Sequence, residues 1–295
     1  MTRSHFLLLA AAAVWGFAFV AQRLGMQHIG PFVFNAIRFA LGALVILPFA
    51  RKGMNVSALN GRSTLNRISA TSGGLLTGLV LFAGASLQQS GIVFTTAGKA
   101  GFITGLYVVL VPLFGSVWGR RTGPLAWLGA CAAVVGLYFL TGSKISGVNR
   151  GDLLVLASAF FWAFHVLLVG RFSAQIGALR LAFIQYATCS FLSLLVAFAI
   201  ERFVFDQIVG AAIPILYAGL FSVGLAYTLQ VVAQRRAHPT HAAIILSLEA
   251  VFAVLGGRII LGEAITRRGL LGCLLMLIGM IIAQIDAERR TLRSP

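Results

Sequence analysis

The chain has 295 residues, 59% of them apolar and only 10% charged, with a mean hydropathy of +0.95, whereas soluble chains carry about 25% charged residues. A water-soluble domain is excluded, and the bilayer is the expected solvent. The net charge of +16 comes from basic residues scattered singly or in pairs between apolar runs, which suits orientation in a membrane and not a nucleic-acid footprint.

At about 20 residues per crossing, hydropathy and punctuation place spans at 5–22, 31–50, 72–93, 96–118, 124–142, 152–170, 180–200, 210–233, 239–261 and 268–286. The start, Met1-Thr2-Arg3 before an apolar run, has the form of a signal peptide, but nine more runs follow, so it reads as the first span. With the N-terminus in the cytoplasm, 14 of the 23 basic residues, Lys52 and Arg121 among them, fall on the cytoplasmic side, and 6, Lys144 among them, fall opposite. The positive-inside rule then places both termini in the cytoplasm of a multi-pass inner-membrane protein. Cys131, Cys189 and Cys273 lie far apart in apolar runs without metal or redox spacing and read as packing residues.

The chain also matches itself. At an offset of 147, spans 1–2 fall on spans 6–7 with Trp15/Trp162 and Gly30/Gly177 paired; at 142, spans 3–4 fall on 8–9 with Gln88/Gln230; at 143, span 5 falls on 10 with Gly129/Gly272 and Gly136/Gly279. The paired Trp, Gln and Gly identities carry the argument, because Leu and Ala match by chance in apolar chains. A five-span unit ends on the opposite side from where it starts, so residues 1–147 and 148–295 are expected to form two inverted repeats of one all-α, ten-helix unit. Such a unit gives one central site two gates, the basis of alternating access.

Trp15-Gly16, the stretch from Leu87-Gln88-Gln89 to Thr95-Thr96-Ala97-Gly98-Lys99-Ala100-Gly101-Phe102, and Pro239-Thr240-His241-Ala242-Ala243 to Leu248-Glu249 with Leu261-Gly262-Glu263 resemble the EamA family of the drug/metabolite transporter superfamily. The resemblance covers essentially the whole chain and implies a ten-span carrier. Many family members export amino acids, aromatic ones among them, and line their cavity with the first, third and fourth helices of each repeat. One departure stands out: the family often has Pro after the acid of the ninth span, whereas Ala250 follows Glu249. The departure leaves open whether a bend carries over from the family to this position.

Trp15 and Trp162 lie about ten residues into their spans, roughly 15 Å deep at 1.5 Å per residue, away from the interfaces that tryptophans prefer. They read either as interhelical packing or as two walls of a substrate cavity. Glu249, ten residues beyond Pro239, is the deepest carboxylate, and a lone acid at that depth is a functional hypothesis by default. It could bind a substrate ammonium, exchange a proton, or pair with Arg38, whose depth is compatible; the depths favour the pair. Tyr107 occupies the equivalent place in the first repeat. His165 lies one turn from Trp162 and reads either as a proton carrier or as a hydrogen-bonded packing residue. Lys99 and Arg258 are close enough to span ends to snorkel, and Gln88 and Gln230 read either as interhelical hydrogen bonding or as substrate contact.

The candidate substrate cavity is thus Trp15, Tyr107, Trp162, His165 and Glu249, with Arg38 and Glu249 as a candidate ion pair. The expected function is export of small amphipathic metabolites, amino acids foremost; efflux of hydrophobic cations and a non-transport role in lipid handling are the alternatives. No nucleophile and base pair, metal cluster or phosphate loop suggests an enzyme, and no cofactor or metal is expected. The expected partners are a small-molecule substrate and the lipid bilayer, with monomer and homodimer left open.

Overall fold

The computed structural model describes residues 2–59, 64–95, 97–117, 123–141, 149–262 and 267–293. Thr96, Arg121, Lys144, Glu263 and the boundary between residues 147 and 148 lie outside them. The secondary structure of the described residues is helical, joined by turns and short irregular connections. The helices are α1 (Arg3–Gly25), α2 (Pro31–Leu59), α3 (Thr64–Ile92), α4 (Ala97–Gly105), α5 (Tyr107–Val117), α6 (Pro124–Thr141) and α7 (Arg150–Ile176), then α8 (Ala178–Ile200), α9 (Phe205–Gly210) and α10 (Ala212–Leu216). After a π-helix (Tyr217–Tyr227) come α11 (Thr228–Ala233), α12 (Pro239–Leu246), α13 (Glu249–Leu261) and α14 (Arg267–Arg293).

Local chemistry explains the starts. Pro31, Pro124 and Pro239 open α2, α6 and α12, where a missing N–H costs nothing. Thr2 caps α1 by accepting from the His5 N–H, and Asn149 caps α7 in a reciprocal box with Asp152. These two caps stand 147 residues apart, the offset of the internal match.

Eight segments among the described residues are long and apolar enough to cross a membrane, and the fifth and tenth expected spans correspond to the shorter apolar helices Pro124–Gly136 and Leu270–Gly279. Three spans read as continuous are interrupted. The fourth breaks at Leu106 between α4 and α5, the eighth passes through the π-helix, and the ninth breaks between α12 and α13 at Ser247 and Leu248. This last break, beside Glu249, forms without proline. The Leu248 N–H reaches back three residues to the Ile245 carbonyl, and the Ser247 hydroxyl takes the Ile244 carbonyl. Leu106 likewise bonds three residues back to Ile103. The two breaks, at Leu106 and Leu248, are themselves 142 residues apart.

Packing pairs α1 with α13 and the π-helix, α2 with α8, α3 with α7 and α8, and α6 with α14. Glycine permits the closest crossings. A Cβ on Gly136 would lie 2.6 Å from the Gly272 carbonyl oxygen, and one on Gly279 would lie 2.6 Å from that of Gly129, so α6 and α14 touch backbone to backbone at two reciprocal points. Phe39, Tyr107, Trp162, Tyr186 and Tyr227 belong to the largest buried cluster, between the helices, while Phe6, Phe49, Val117, Ile213 and Ile259 face outward as a lipid-facing surface requires.

Two polar ties fix which helix ends meet. Arg23, in the last turn of α1, donates to the Thr95 carbonyl, and the Thr95 hydroxyl donates to Asp152 in the first turn of α7 at 2.7 Å. The end of α1 and the start of α7 therefore share one face of the molecule. Glu201, just past α8, accepts the Phe32 and Val33 N–H groups at 3.0 and 2.7 Å, so its carboxylate satisfies donors that the first turn of α2 leaves open.

Candidate functional site

A cavity between the helices is lined by all six residues singled out from the sequence: Trp15, Arg38, Tyr107, Trp162, His165 and Glu249. Gln88 and Gln230, read either as interhelical bonding or as substrate contact, line it too, with Phe19, Gln22, Thr104, Val166, Ser222, Tyr227 and Leu246. The walls come from α1, α3 and the α4–α5 break, and from α7, the π-helix with α11, and the α12–α13 break, while α2 adds Arg38. Five pairs of lining positions stand at the internal offsets: Trp15/Trp162 and Phe19/Val166 at 147, and Gln88/Gln230, Thr104/Leu246 and Tyr107/Glu249 at 142.

The aromatic wall centres on Tyr227, which the sequence reading missed. Its ring centroid lies 4.5 Å from Trp15 and 6.1 Å from each of Phe39, Trp162 and His165. The position 142 residues earlier is Ala85, so the duplication gave no signal for it. The Trp15 indole N–H donates to the Ser222 carbonyl at 3.3 Å, whereas the Trp162 N–H has no partner. His165 is hydrogen-bonded to Gln185 at 2.7 Å with both side chains buried, which fixes the ring edge-on to Trp162.

Glu249 and Arg38 are respectively 5% and 1% exposed, yet they make no ion pair with each other. The pairing expected from their depths is thus absent from this structure. Arg38 Nε donates to Asn35 Oδ1 at 2.9 Å, and the guanidinium lies 4.9 Å from the Phe39 ring centroid, but its Nη2 has no partner. Glu249 Oε1 also lacks one. Tyr107 Oη is within electrostatic reach of the Glu249 carboxylate. Tyr227 lies within such reach of both charges. Depth in the helix identifies such residues, but partners across helices depend on rotation about each axis, which one chain's hydropathy does not specify.

At the end where α1 finishes and α7 begins, Lys99 does not snorkel as expected; it binds Asp152 at 2.6 Å, the ion pair found among the described residues. Asp152 also accepts from the Asn149 N–H at 3.0 Å, and Arg150 lies 3.7 Å over the Phe94 ring. A basic residue near one span end and an acid at the start of another were visible in sequence, but not their meeting. The positions 147 before Asp152 and 142 after Lys99 are His5 and His241, both buried, so the two ends carry different chemistry.

The EamA-like transporter family model matches residues 2–142 and again residues 149–284. An uncharacterized transporter of Archaeoglobus fulgidus is 32% identical over 94% of this chain and 84% of its own length. The threonine/homoserine exporter RhtA of Escherichia coli K12 is 27% identical over 97% and 91%, and the inner membrane transporter YedA of the same organism 25% over 88% and 83%. A solved crystal structure of a protein 21% identical to the chain superposes over 99% of both with a TM-score of 0.74 and shares the fold. With two consecutive matches spanning nearly its full length, the chain belongs to the EamA-like transporter family of membrane transporters.

Proposed function

We propose that the protein exports amino acids across a bacterial inner membrane by alternating access, with residues 1–147 and 148–295 acting as two inverted five-helix repeats and both termini in the cytoplasm. The convergence of five internally equivalent pairs of positions on one cavity carries this reading. Inverted repeats give one site two approaches of similar construction, and the paired lining positions support that reading. Three further observations support it: the end of α1 meets the start of α7, as inversion requires; the helix breaks fall at equivalent positions beside Tyr107 and Glu249, like the discontinuous helices of many carriers; and a threonine/homoserine exporter is similar over 97% of the chain.

Aromatic walls beside a few polar groups suit a substrate with an apolar body and a polar head. Efflux of hydrophobic cations is the weaker reading, because Arg38 lines the same cavity as Glu249 and would repel a cation lacking a carboxylate. The test is uptake and efflux of a labelled panel of hydroxylated and aromatic amino acids in proteoliposomes, with and without a pH gradient. Saturable movement of at least one amino acid is expected; transport of lipophilic cations alone would overturn the reading.

A further inference from the structure

We infer that Arg38 and Glu249 bind the two ends of one zwitterion, Arg38 taking the carboxylate and Glu249 the ammonium, so that the cavity selects substrates by requiring both head groups. The inference rests on the transport reading above and assigns the specificity of that site.

A buried ion without a counter-charge is expensive, and removing one partner of a buried pair is strongly destabilising because it strands the other. Arg38 and Glu249 line one cavity, are almost fully buried, and do not neutralise each other. Each retains a buried polar atom without a partner, Nη2 on Arg38 and Oε1 on Glu249. Arg38 Nε is held by Asn35, and the flat face of the guanidinium lies near Phe34 and Phe39, which fixes the fork and leaves Nη2 for an acceptor. A carboxylate matches that donor geometry.

Glu249 opens α13 immediately after the helix break. Tyr107 and Tyr227 lie within its electrostatic reach and no cation is bound to it. An ammonium would supply the missing donor. Arg38 and Glu249 come from α2 and α13 and line the same cavity as Tyr227, Trp15 and Trp162. A ligand carrying both head groups satisfies both orphan atoms at once, whereas a ligand carrying one strands the other. A site built in this way rejects analogues lacking a group far more strongly than an apolar pocket rejects a missing methylene.

The test uses the full chain in proteoliposomes and compares L-phenylalanine and L-threonine with their N-acetyl derivatives, their amides, and the corresponding deaminated and decarboxylated compounds. Competition against a labelled amino acid and thermal stabilisation of the purified protein are both read. Loss of either head group is expected to weaken competition about 100-fold. In Glu249→Gln the gap between an amino acid and its N-acetyl derivative should shrink while the gap to its amide persists; Arg38→Gln should do the converse. The comparison of ligands on the unmodified protein decides the matter even where a variant fails to fold. Amino acids that are transported but matched by analogues lacking one head group would overturn the inference and leave the transport reading standing. If no amino acid is transported or bound, the transport reading itself falls.

Discussion

Gly16 lies directly against Glu249: a Cβ at position 16 would sit 2.7 Å from the Glu249 carbonyl oxygen and 2.2 Å from the Phe252 Cβ. This contact brings α1 and α13 together so that Trp15 and Glu249 line one cavity. Gly16→Ala is therefore expected to separate the two helices, costing about 1–3 kcal/mol by overpacking and lowering transport by more than the loss of folded protein accounts for. Melting in detergent alongside initial transport rates checks it; an unchanged melting temperature would mean that the helices move apart freely.

The two tryptophans should respond differently to the same change. Trp15→Phe loses a hydrogen bond to Ser222 worth about 1 kcal/mol, whereas Trp162→Phe loses none, because its N–H has no partner. Trp162→Phe should thus be the more stable of the two while still transporting less than the parent. Trp15→Ala and Trp162→Ala should both abolish most transport. Normal transport by both alanine variants would return the tryptophans to packing.

Because Arg38 and Glu249 are not ion-paired, the effects of Arg38→Gln and Glu249→Gln on stability should add to within about 0.5 kcal/mol. Recovery of stability in the double variant would instead show a pair. If Glu249 also exchanges protons, Glu249→Gln should retain exchange of substrate for substrate while net transport loses its response to a pH gradient.

The Lys99–Asp152 bond ties α4 to α7 at one end of the cavity. Asp152→Asn removes charge-assisted bonding worth about 1.5–3 kcal/mol and should make Gln22→Cys, which lines the cavity near that end, react faster with a membrane-impermeant thiol reagent added outside. A rate no faster than in the Gln22→Cys parent would show that this bond does not hold the outer approach shut.

Inverted repeats make a topological prediction. Cysteines at Lys52 and Arg121 should be labelled from the cytoplasm and one at Lys144 from outside. Labelling of all three from the same side would contradict the inversion.

Membrane residence, the approximate spans and the duplication were legible in the sequence because they follow from hydropathy and from residue identity at fixed offsets. So were six of the residues that line the cavity: a Trp, Glu or Arg far inside an apolar run is conspicuous wherever it points. The breaks within the fourth and ninth spans leave no mark in the sequence because a turn bonded three residues back, with Ser247 taking a carbonyl, leaves hydropathy unchanged. Tyr227 went unseen because its role comes from five rings on other segments meeting it, and the duplication places Ala85 at the matching position. Partner choice was beyond reach for the same reason: Lys99 with Asp152, and Arg38 apart from Glu249, depend on how each helix is rotated and how closely its glycines let it approach. Depth along a helix is a property of the sequence, whereas which side chains meet across helices is settled by packing in three dimensions.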